Sequence, residues 1–269
     1  MIAPALEGAT GSRGPAHGFA AARARLGLVG LLFSLAAIAW WFTADRMRGM
    51  DEGPGTHLGS LGWFVGVWVV MMAAMMFPSV WPTVALYSRL TRSRAPLAPL
   101  VFTCGYVLTW TAAGLVAFAV SDLGGGLVGD ELAWNRGGRW AAGGILVAAA
   151  LYELTPAKDA CLGRCRTPLG FLLGSWRDGL SGALRMGVGH GAWCVGCCWA
   201  LMAALFALGV MSIAWMAFVA GLIAAEKTLP WRRTVIYGTA AILLLLGALL
   251  AAAPQTIPDL TIPGSSPMH

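Results

Sequence analysis

Long apolar runs constrain this chain more than any other feature of its sequence. They fall at roughly residues 26–42, 61–87, 97–120, 139–155, 180–209, 212–226 and 234–252. A bilayer's hydrocarbon core takes about 20 apolar residues of helix, and only helices or closed barrels satisfy their own backbone there. The runs therefore predict an all-α, polytopic helical membrane protein with six to seven transmembrane helices, seven being the favoured count. Composition agrees, with 58% hydrophobic and 11% charged residues and a mean hydropathy of +0.72, far from a soluble globular domain. The net charge of +6 does not point to nucleic acid, because the basic residues lie between apolar runs and form no basic, aromatic-bearing soluble face.

These runs divide the chain into a disordered cytoplasmic tail over 1–25, a single helical transmembrane domain over 26–252 and a second disordered tail over 253–269. Ala37-Ile38-Ala39 resembles a signal-peptide cleavage site, but the first run continues through Trp40, Trp41 and Phe42, which suits a retained anchor better. Basic residues gather on alternate sides of the runs: Arg13, Arg23 and Arg25; Arg89, Arg92 and Arg94; Lys158, Arg164, Arg166 and Arg177; Lys227, Arg232 and Arg233. Loops kept in the cytoplasm retain Lys and Arg. The expected orientation is an N-terminus inside and a C-terminus outside a bacterial inner membrane.

That orientation draws the soft ligands to one leaflet. The second run carries Met71, Met72, Met75 and Met76, and the third has Cys104 about two turns in. Cys161 and Cys165 fall in the basic loop after the fourth run, and the fifth carries His190, Cys194, Cys197 and Cys198. Met186, His190, Cys194, Cys198 and Met202 recur every four residues, with Cys197 three after Cys194, so a helix gathers them into one slowly winding stripe. Gly187, Gly189, Gly191 and Gly196 allow close helix approach, or loosen the helix near His190.

Thiolates and thioethers select soft ions, so Cu(I) is favoured over Zn(II), the competitor where Cys and His dominate. Each ligand also has an ordinary explanation. A single cysteine such as Cys104 packs as a small hydrophobe, and methionines fill irregular cores. A lone buried histidine is usually a hydrogen-bonded polar residue. Five cysteines confined to two short segments are harder to dismiss. Pro78 and Pro82 should break or kink the second run. Glu153 and Glu226 at inner span ends should pair with Lys158 or Lys227, and the first turns of the fifth segment, near Asp178 and Arg185, read as an interfacial amphipathic helix. No Gly-rich phosphate loop, hydrolytic carboxylate pair or Ser/His/Asp grouping points to an enzyme.

Three ordered motifs, "MMAAMMFPS" at 71–79, "YELTPAKDACLGRCRTPLGFLL" at 152–173 and "GHGAWCVGCCWALM" at 189–202, followed by "EK" at 226–227, resemble a domain-of-unknown-function family of bacterial integral membrane proteins described as predicted metal-binding. The resemblance covers about residues 60–230, leaving the tails and the last run outside. It implies a helical membrane protein with a metal site on the matching Met72, Met76, Cys161, Cys165, His190, Cys194, Cys197 and Cys198, and no established activity.

The expectation is thus a bilayer protein that binds a soft metal ion near the cytoplasmic face for handling or transport. Cys194, Cys197 and Cys198 would form the main site with His190 beside them, Cys161 and Cys165 would capture or release the ion, with Arg164 and Arg166 favouring the thiolate, and Met72 and Met76 would supply weak deeper ligands. A soluble metal chaperone docking on the basic loop is a candidate partner, and the oligomeric state stays open. The rival readings are a thiol-disulfide redox membrane protein and a membrane scaffold with a structural zinc site.

Overall fold

The computed structural model describes residues 15–46, 59–91, 96–128, 137–209 and 212–252. The described residues form helices only: α1 (Pro15–Arg46), α2 (Leu61–Thr91), α3 (Ala98–Val128), α4 (Arg139–Glu153), α5 (Pro156–Arg166), α6 (Pro168–Gly174), α7 (Gly179–Leu208), α8 (Ile213–Thr228) and α9 (Arg232–Ala252). The all-α expectation holds. Five helices, α1 from Leu26, α2, α3 to Gly124, α7 and α9, are long and apolar enough to cross a membrane, and the bent pair α4–α5 makes a sixth if it is one span. The favoured count of seven falls short at α8. Its 16 residues reach about 24 Å at 1.5 Å per residue, less than the ~30 Å hydrocarbon core.

The N-terminal stretch read as a tail is partly helical. α1 starts at Pro15, a residue pre-set for the first helical position, and the Ala- and Arg-rich run after it favours helix. Residues 1–14 and 253–269, the rest of the two expected tails, lie outside the described residues.

α2 does not break at its prolines but runs as one helix of 31 residues with Pro78 and Pro82 inside it. Proline at 78 removes the N–H that would bond the carbonyl four residues earlier. That carbonyl belongs to Ala74, and the indole Nε1 of Trp40 donates to it at 3.2 Å. A side chain on α1 thus replaces the missing donor, and the repair holds α1 against α2.

The segment after α4, read from sequence as a loop, is two further helices. Pro156 lacks the N–H to continue α4, and Thr155 turns the break into a start: its hydroxyl accepts from the Lys158 backbone N–H at 3.2 Å and donates to the Tyr152 carbonyl at 2.7 Å, an N-cap followed by Pro at the first helical position. The chain bends 67° there. A second Thr-Pro pair, Thr167-Pro168, opens α6. Both short helices lie in the bundle, where Leu162 and Leu172 are fully buried.

α3 and α7 form the centre, running side by side in the same direction, since Phe102 meets Gly187 and Thr109 meets Gly191. A Cβ at Gly191 would stand 2.8 Å from that of Thr109, and one at Gly187 would strike the Phe102 carbonyl. These glycines set the interhelix distance, as small residues do in membrane bundles. The helix does not loosen near His190, and the first turns near Asp178 and Arg185 are continuous with the rest of α7. Gly143 and Gly247 bring α4 and α9 together in the same way, each Cβ position lying 2.9 Å from the other's carbonyl. Trp68 of α2 donates to the Trp110 carbonyl of α3 at 2.8 Å, closing the core on its other side.

Candidate metal centre

The i, i+4 stripe of α7 is buried along its length: Met186, His190, Cys194, Cys198 and Met202 all face the core. It does not act as one ligand row, because the neighbouring helices differ at each turn. At the His190 level the neighbours are aromatic, with the rings of Phe102, Tyr106 and Phe171 at 5.9, 6.0 and 4.8 Å. One turn on, at Cys194, they are sulfur and charge.

α5 packs its last turn on α7 at that level. The sulfurs of Cys165, Cys194 and Cys197 all lie within 4.8 Å of one another. Cys197 Sγ is 3.7 Å from Cys165 Sγ and 3.3 Å from Cys198 Sγ, and 3.2 Å from the Cys194 carbonyl, to which the thiol can donate. Two sulfurs each about 2.3 Å from a shared ion, at tetrahedral or trigonal angles, stand roughly 3.8–4.0 Å apart. The spacing and the donor chemistry fit a soft metal ion. All six cysteines are free thiols.

Of the other sequence candidates, Cys198 borders this group and the rest lie elsewhere in the bundle. Cys161 lies one turn earlier on α5, its sulfur against the backbone of Gly196, 2.8 Å from where a Cβ there would be. Cys198 touches the group through Cys197, at 3.3 Å between their sulfurs, and through Cys194. His190 is 3% exposed, with an Nδ1 that finds no hydrogen-bond partner among the described residues. Met72 and Met76 are buried on α2 within the common core. Cys104 is exposed on α3.

Arg164 and Arg166 do not serve the thiols as expected. Arg164 stacks on the Trp193 ring at 4.3 Å. Arg166 donates to the carbonyls of Glu226, at 2.8 Å, and Leu229, filling acceptors that the end of α8 leaves free. The cation at the sulfurs is Lys227, whose Nζ donates to Cys194 Sγ at 3.0 Å. On the same sulfur the Tyr106 hydroxyl closes at 3.0 Å.

Neither Tyr106 nor this role of Lys227 follows from the sequence. Lys227 stands beside Glu226 as a ready ion pair, and only the short length of α8 brings its side chain to the depth of Cys194. Glu226 pairs with Lys158 instead. Lys158 Nζ sits 2.6 Å from Glu153 and 2.8 Å from Glu226, all three essentially buried. This triad joins the end of α4, the start of α5 and the end of α8 around the thiols. Tyr152 adds a bond from its hydroxyl to the Gly196 carbonyl at 2.6 Å.

No curated protein and no solved structure matches this chain. A family model, PpoB2, described as copper chaperone, matches residues 65–250. The match takes in every helix from α2 to α9, reaching past the sequence motifs into the last helix, and contains the whole cysteine group. Covering well over half of the sequence, it shows that the chain belongs to the PpoB2 copper chaperone family.

Proposed function

We propose that the protein binds Cu(I) as cargo at Cys165, Cys194 and Cys197 and hands it on within or across a bacterial inner membrane. The observation that carries this reading is three thiols from two helices within 4.8 Å, in a chain of a family described as copper chaperone. Soft sulfur donors hold Cu(I) in preference to hard ions, and metal displaces the thiol protons as it binds. The role is to bind and release, not to catalyse.

Cys198 and Cys161 flank the three sulfurs on either helix. They are the natural exchange positions, where an arriving or leaving ion trades one thiolate for another. Met72 and Met76 would supply weaker soft donors, and His190 a borderline imidazole donor, elsewhere in the core, which suits passage rather than storage. With the N-terminus inside, the group would lie toward the cytoplasmic ends of its helices, where a soluble metal chaperone would meet the basic residues of α5.

The protein purified anaerobically without chelator, then supplied with copper and zinc, should carry near-stoichiometric copper by mass spectrometry. Changing Cys194, Cys197 and Cys198 together to Ser should abolish it. Zinc lost in place of copper would favour a structural zinc scaffold. No bound metal in either protein would sink the reading and leave thiol redox chemistry, which the 3.7 Å approach of Cys165 and Cys197 across two helices favours next.

A further inference from the structure

Resting on that reading, we infer that Lys227 is the residue that makes the thiol group select a monovalent over a divalent ion. Its ammonium reaches from the last turn of α8 to within 3.0 Å of Cys194 Sγ, and Cys194 is 1% exposed. Lys158, the other lysine at this depth, is spent between Glu153 and Glu226. Arg164 and Arg166 are turned to Trp193 and to the end of α8. Coulomb energy falls with distance, so the cation in contact with the sulfur sets the local sign.

The selectivity follows from charge. A metal ion held by a given number of thiolates leaves one more negative charge on the complex when it is monovalent than when it is divalent. A fixed ammonium beside a ligand sulfur stabilises the more anionic complex and repels the divalent ion twice as strongly as the monovalent one. Cysteine sulfurs alone serve both Cu(I) and Zn(II). The lysine breaks that tie without being a ligand, since its nitrogen donates to the sulfur and has no lone pair to offer a metal while protonated. The Glu153–Lys158–Glu226 triad keeps one net negative charge, but among the described residues it makes no bond to the Cys194 sulfur, against which Lys227 stands at 3.0 Å.

The test is competition binding of Cu(I) and Zn(II) to the full-length protein in detergent, under anaerobic conditions, with chromogenic chelators of known affinity. Lys227→Gln and Lys227→Met both remove the charge, the second covering the case in which a buried amide impairs folding, and Lys227→Arg keeps it. The Cu(I)-to-Zn(II) affinity ratio should fall by about tenfold or more in the two neutral variants and stay near wild type in the arginine variant. An unchanged ratio in a folded neutral variant, or an equal loss for both metals, overturns the inference while leaving the copper-binding reading of the wild-type protein standing. Failure of the wild-type protein to bind either metal overturns the proposed function itself.

Discussion

Cys165 and Cys197 are 32 residues apart in the chain, yet their sulfurs are 3.7 Å apart. The approach depends on two things: the Thr155-Pro156 break that turns α5 back along α7, and Gly196, which leaves room for Cys161 one turn away. An Ala side chain at 196 would stand 2.8 Å from the Cys161 sulfur, so that either this side chain or α5 would have to shift.

Single Ser substitutions at Cys165, Cys194 and Cys197 should each weaken Cu(I) binding by roughly 100-fold or more, since losing even an outer partner of a metal site costs about 10–100-fold. Cys104→Ser should leave affinity unchanged. Competition titrations against a Cu(I) chelator check both, and a Cys165→Ser protein with wild-type affinity would remove α5 from the site.

Mild oxidation of the metal-free protein should link Cys165 to Cys197, because their thiols already touch. Bound Cu(I) should block the link by occupying both sulfurs. Peptide mapping by mass spectrometry, with and without copper, reads the crosslink directly.

The Glu153–Lys158–Glu226 triad predicts an asymmetric mutational response. Lys158→Met should destabilise the protein by about 3–5 kcal/mol, because it leaves two buried carboxylates facing each other without a cation. Adding Glu153→Gln and Glu226→Gln should recover much of that loss. Thermal unfolding in one detergent compares the two, and a triple variant no more stable than the single one would contradict the electrostatic account.

Trp40→Phe should cost about 1–3 kcal/mol, because it strands the Ala74 carbonyl that Pro78 already deprives of its helical partner. In a Pro78→Ala background the backbone supplies that donor again, and the same Trp40 change should have little effect. A double-mutant cycle on unfolding stability gives the coupling.

Close packing of α3 on α7 is equally open to measurement. Gly191→Ala would place a Cβ 2.8 Å from that of Thr109, and overpacking of this kind typically costs about 1–3 kcal/mol. Gly189→Ala, whose Cβ meets nothing within 4 Å, should be neutral or slightly stabilising, since Ala is the better helix former.

The sequence by itself determined the class, because continuous apolar runs of about 20 residues suit membrane helices and lack the two-residue alternation of a barrel strand. It also marked the chemistry: soft side chains gathered in α7 and the α5 segment stand out against an apolar background, and the four-residue spacing of the stripe correctly put them on the buried face of one helix. It could not say which sulfurs meet. A stripe describes one helix, whereas a metal centre depends on what the facing helices bring to each level, and here that is aromatic rings at His190 and thiols one turn later. The reading of α5 as a loop missed the two Thr-Pro pairs, each a helix start whose signal was visible in the sequence. The partners of the lysines had no local signal at all. Glu226 and Lys227 look like an ion pair in the sequence, but consecutive residues on a helix point about 100° apart. Tertiary packing therefore sends one to Lys158 and the other to Cys194, because the rotation and depth at which α8 ends set which partner each side chain meets.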